Sequence, residues 1–72
     1  MIDKLRQIEE QYAGLISSDV VACELFDSNI EKAIDYLNSL VENGVLKFLN
    51  AKYHGDYKIC MYRFLNEYDI NG

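Results

Sequence analysis

One imidazole, two thiols and several closely spaced carboxylates are the groups in this chain with chemistry to offer. The histidine is His54 and the cysteines are Cys23 and Cys60. A cysteine or serine nucleophile served by His54 would need the fold to bring the two within hydrogen-bond reach, with a third group to orient the imidazole. His54 stands in His54-Gly55-Asp56, a tight-turn sequence, and is therefore expected as an exposed turn histidine without a nucleophile beside it. Cys23 and Cys60 form no Cys-x-x-Cys pair. Both are expected as buried free thiols acting as small apolar groups, Cys23 on the inward side of a helix and Cys60 in a strand. Cys60 and His54 together fall short of the four ligands of a structural zinc site. The carboxylate pairs are Glu9-Glu10, Asp27 with Glu31, and Glu31 with Asp35. Glu31 and Asp35 lie four residues apart, on one helical face, where like charges cost a few tenths of a kcal/mol. A basic partner protein or a cation would offset that cost, and a solvated face is the plainer alternative. No glycine-rich phosphate loop or calcium-loop pattern is present. These residues predict a chain that is not an enzyme, with no metal, no cofactor and no small-molecule substrate.

Length and charge narrow the classes further. Seventy-two residues predict a single domain over 1–72. A chain this short buries only roughly 60% of the surface its unfolded form exposes, which leaves no room for an enclosed substrate cavity beside the core. Half of the residues are apolar or aromatic, enough for a compact fold and too many for a disordered chain. The net charge of −5 is unevenly spread: residues 1–46 hold nine carboxylates and three cations, residues 47–72 three carboxylates and four cations. An acidic whole lacks the long-range attraction that usually brings a protein to nucleic acid. Residues 1–15 alternate charged and apolar groups, unlike a secretory leader. No run approaches the roughly 20 apolar residues of a membrane span. With two unclustered cysteines, the expected setting is the reducing cytoplasm, away from membranes.

Hydrophobic spacing then predicts the elements that must position these groups. Ile2, Leu5, Ile8 and Tyr12 form one stripe of a first helix over about 2–13, closed by Gly14. Ile16 reads as a short extended link. Ser18 is placed to cap a second helix over about 18–26, with Asp19 in its first turn. After Asp27-Ser28-Asn29, Ser28 and Glu31 fit a capping box for a third helix over about 29–43. Its apolar stripe is Ile30, Ala33, Ile34, Leu37, Leu40 and Val41, and Gly44 stops it. Residues 45–53 and 57–65 are rich in aromatic and β-branched types around the glycine turn, the pattern of a hairpin. Residues 66–72 are polar and expected to fray.

Helix, short helix, tight turn, longer helix and hairpin is an order that resembles the winged helix-turn-helix superfamily. Val20-Val21-Ala22-Cys23-Glu24-Leu25-Phe26 looks like its second helix, and residues 30–40 look like its third, or recognition, helix. Leu40-Val41-Glu42-Asn43-Gly44-Val45-Leu46 is similar to the family's junction into the wing. The resemblance spans roughly residues 2–65 and implies an α+β fold: a small winged-helix domain with three helices followed by a two-stranded β-hairpin wing. Family members that read DNA insert the third helix into the major groove. Here that helix offers Glu31, Asp35 and Glu42 against the single cation Lys32. DNA-reading helices rely on Arg, Lys, Asn or Gln at that surface. The leading expectation is therefore a non-catalytic, acidic binding module that mediates protein–protein interaction in a regulatory assembly. It would contact a protein partner with a basic surface, or self-associate, through Glu31, Asp35, Tyr36, Ser39 and Glu42. An exposed tyrosine beside carboxylates suits such an interface. A narrower version is a small inhibitor whose acidic face imitates DNA. The alternative is a dimeric DNA-binding transcriptional regulator that contacts duplex DNA through Lys32, Lys47, Lys52, His54 and Lys58, in a wing where cations interleave with Tyr53 and Tyr57.

Overall fold

The computed structural model describes residues 2–65, so the tail expected over 66–72 lies outside the described residues. Three helices and three strands follow one another: α1 (Ile2–Gln11), β1 (Ile16–Ser17), α2 (Ser18–Leu25), α3 (Ile30–Glu42), β2 (Leu46–His54) and β3 (Tyr57–Phe64). The strands form one antiparallel sheet in the order β1-β3-β2. The fold is therefore a small α+β arrangement, and its sheet has one strand more than the hairpin that the sequence predicts. Among the described residues, no helix is long and apolar enough to cross a membrane.

Each helix ends where the backbone turns left-handed. Ala13 and Gly14, at φ 58° and 86°, stop α1 two residues before the expected boundary. Asp27 and Ser28, at φ 52° and 67°, separate α2 from α3. That conformation removes Ser28 from the capping role the sequence suggested. Asn29 caps α3 instead, its side chain accepting a hydrogen bond from the Lys32 N–H at 3.1 Å. At the other end Gly44 takes φ 76°, and the Gly44 and Val45 N–H groups donate to the carbonyls of Val41 and Leu40. This pair of bonds closes a helix in the Schellman manner, for which glycine is favoured because it has no Cβ to clash.

Ser18 does not cap α2 as its place in the sequence predicts: the N-cap is Ser17, whose hydroxyl donates to the Asp19 carboxylate. Ser18 is fully buried, and its Oγ accepts a hydrogen bond from the Cys60 N–H at 2.9 Å. Strand β1 pairs only with Tyr62 and Met61, so the serine hydroxyl satisfies the next amide along β3 once that short ladder has ended.

The core lies between the helices and the inner face of the sheet. Leu5 and Ile8 enter from α1, Val21 and Ala22 from α2, and Ala33 and Leu37 from α3. Ile16, Leu46, Cys60, Tyr62 and Phe64 close it from the strands. Alternation along β3 buries Cys60, Tyr62 and Phe64, and sends Ile59, Met61 and Arg63 to the opposite side. Cys60 is buried in a strand as expected, whereas Cys23 is exposed, because α2 turns Val21 and Ala22 inward.

Tyr62 is fully buried in the central strand. Burial holds its hydroxyl protonated well above the ordinary tyrosine range, and the neighbouring Cys60 thiol adds to the effect. The unfolded chain releases that proton near pH about 10, while the folded chain keeps it. Stability should therefore be insensitive to this group below about pH 10 and fall above it, by roughly a kcal/mol per pH unit. Urea midpoints measured from about pH 8 to 11 would show the decline, and Tyr62→Phe should flatten it. An unchanged slope in that variant would rule out Tyr62 as the source.

Candidate functional site

The outer surface of α3 is the first candidate. At 3.6 residues per turn, Glu31, Asp35, Asn38 and Glu42 fall within one narrow arc, and all four are exposed. The uncharged polar groups around them are already engaged. Asn29 caps the helix, and Asn38 Oδ1 accepts a hydrogen bond from the Tyr62 hydroxyl at 2.7 Å. The Ser39 hydroxyl donates to the Tyr36 carbonyl at 2.6 Å, and Asn43 Nδ2 donates to the Ser39 carbonyl at 2.8 Å. Of the amide and hydroxyl side chains that would read base edges, each of these serves the helix or the sheet. Carboxylates dominate what remains. Tyr36 is half-buried, its ring tilted at 54° to Phe26 with centroids 5.5 Å apart. It follows Asp35 in the chain but lies about 100° round the helix from it, off the acidic arc.

Cations gather elsewhere. The three strands carry Lys47, Lys52, Lys58 and Arg63 and no carboxylate, whereas the three helices carry eight carboxylates and three cations. The sheet divides the expected wing cluster. Lys47 and Lys52 lie opposite Arg63 and Ile59 in the register and His54 is paired with Tyr57, which puts Lys47, Lys52 and His54 on the face turned from the helices. Lys58 is paired with Tyr53 on the other face, at the end of the hairpin, where Tyr53 is 80% exposed. Lys32 belongs to α3. Arg6, on α1, has its guanidinium 4.3 Å from the centre of the Phe64 ring.

His54 is exposed as expected, but as the last residue of β2; the turn proper is Gly55-Asp56, with Gly55 at φ 66°. Its position faces away from the helices, whereas Cys60 is buried on the inner face and Cys23 is exposed on α2. The fold therefore does not bring either thiol to the imidazole. Among the described residues, no three His, Cys, Asp or Glu side chains converge as metal ligands. Of the carboxylate pairs, Glu31 and Asp35 share the arc of α3. Glu9, on α1, accepts a hydrogen bond from the Phe64 N–H at 3.3 Å.

One feature of the surface has no local signal in the sequence. A trough of about 310 Å³ crosses the outer face of the sheet, floored by Leu15, Leu49, Ile59 and Met61. Leu49 reaches it because β2 bulges there, between Phe48 and Asn50. Bulges re-aim a side chain by placing two residues opposite one. No protein-family model, curated protein or solved structure matches this chain.

Proposed function

We propose that this chain is a non-catalytic binding module of the winged-helix type that works by protein–protein contact. The acidic arc of α3 is its contact surface, and the partner presents a basic one. The order α1-β1-α2-α3-β2-β3, with β3 central in the sheet, supports the winged-helix assignment, with β2 and β3 as the wing. The observation that carries the functional reading is the surface of α3: three exposed carboxylates, with the neighbouring amides and hydroxyl bonded within the chain. Laid in a major groove, those carboxylates would face phosphates, and few donors would be left to recompense them.

A DNA-binding regulator is the second reading, favoured by the absence of carboxylates from the strands. Fluorescence anisotropy with random-sequence duplex DNA at about 50 and 200 mM salt separates the two, because phosphate contacts are steeply salt-dependent over that range. The expected result is no micromolar binding at either salt. A Lys- and Arg-rich helical peptide should instead shift the amide resonances of Glu31, Asp35 and Glu42, and Glu31→Gln with Asp35→Asn should abolish those shifts. Micromolar DNA binding that collapses at the higher salt, and is lost when Lys47, Lys52 and Lys58 become Gln, would overturn the protein-binding reading.

A further inference from the structure

The structure has a second surface that the acidic helix does not account for. The outer face of the sheet is apolar at its centre and cationic at its rim. Antiparallel sheets often leave one face to water, and that face is then usually polar. Here Leu15, Leu49, Ile59 and Met61 stand together on the trough floor, and Leu15 is 38% exposed. Lys52 and His54 border the trough, and the paired Lys47 and Arg63 continue the same face.

We propose that this face docks an acidic, amphipathic peptide segment of another protein. Such a segment fits both halves of the surface: apolar side chains fill the trough, and a carboxylate meets Lys52 at its border. Because β2 is an edge strand, an extended segment can also lie alongside it and add to the sheet. Duplex DNA fits only the rim, since its phosphates would meet the lysines and leave the apolar floor wet. A second copy fits poorly. Outer face against outer face would oppose Lys47, Lys52 and Arg63 to themselves. The acidic helices of one copy against the sheet of the next would be a head-to-tail contact, which does not close into a dimer.

The test is a titration of the isotope-labelled chain with a synthetic peptide in which Glu alternates with Leu and Phe. The expected result is a set of amide shifts at Leu49, Lys52, Ile59 and Met61, and none from the same peptide with every Glu replaced by Lys. Lys52→Glu and Met61→Glu should each weaken binding by about tenfold or more, a loss of roughly 1.4 kcal/mol, with circular dichroism and melting unchanged in Lys52→Glu. Lys52 is fully outside the core, so that variant keeps the test decisive if Met61→Glu lowers stability. Glu31→Gln with Asp35→Asn should leave peptide binding intact, which makes this proposal independent of the one for α3. Shifts confined to other faces, the same residues shifted more tightly by duplex DNA, or shifts on simple concentration of the protein would each overturn it.

Discussion

Tyr62→Ala is expected to leave the chain unfolded at room temperature. Tyr62 is the largest of the fully buried side chains and sits on the central strand. Its ring meets Phe48 edge-on at 5.6 Å, and its hydroxyl ties β3 to α3 through Asn38. Truncating a buried aromatic to alanine costs roughly 3–5 kcal/mol. A core in a chain this small seldom supplies more than about 3–5 kcal/mol of net stability, so the loss is comparable with the whole. Far-UV circular dichroism and a urea titration would decide it, and a cooperative transition near the native midpoint would refute it. Tyr62→Phe keeps the ring and loses only the bond to Asn38, at a cost of about 1 kcal/mol. The difference between the two variants separates packing from hydrogen bonding.

The second large effect is expected at a much smaller residue. Ser18→Ala removes little volume but takes the acceptor from the Cys60 N–H. A buried amide left without a partner costs roughly 1–3 kcal/mol. The expected signature is a lowered urea midpoint together with faster hydrogen exchange at the Cys60 amide. An unchanged Cys60 exchange rate would mean that the hydroxyl is not what protects it. Ser18→Thr keeps the oxygen, so the Cys60 amide should stay protected even if the added methyl strains the core.

Both residues bear on the two proposed surfaces. Tyr62 fixes Asn38, and through it the face of α3 that presents Glu31, Asp35 and Glu42. Ser18 holds β1 against β3, and with it Leu15 against the trough. A variant at either position should weaken binding only as far as it unfolds the chain, whereas Lys52→Glu should weaken peptide binding without unfolding it.

Local signals determined much of this protein. The periodic stripe from Ile30 to Val41, the glycine at 44 and the turn at 55–56 are interactions between near neighbours, and each produced the element its spacing predicts, within a residue or two at the ends. The division of charge was legible as well, because α3 exposes what its apolar stripe does not bury. Tertiary structure decided the rest. Two residues of β1 have no period to read, and they become a strand only because Tyr62 and Met61 of β3 lie beside them. Whether Ser18 caps a helix or satisfies a strand depends on an amide 42 residues away. Cys23 and Val21 are both in α2, yet only packing settles which one turns inward. The trough exists because a bulge at Leu49 sets that side chain beside Leu15 and beside Ile59 and Met61, and of these four only Ile59 and Met61 share a strand period in the chain. Spacing along the chain fixes an element and its apolar side, because both depend on neighbours within a few residues. Which groups meet across elements depends on strand pairing and sheet register, which only the folded chain supplies.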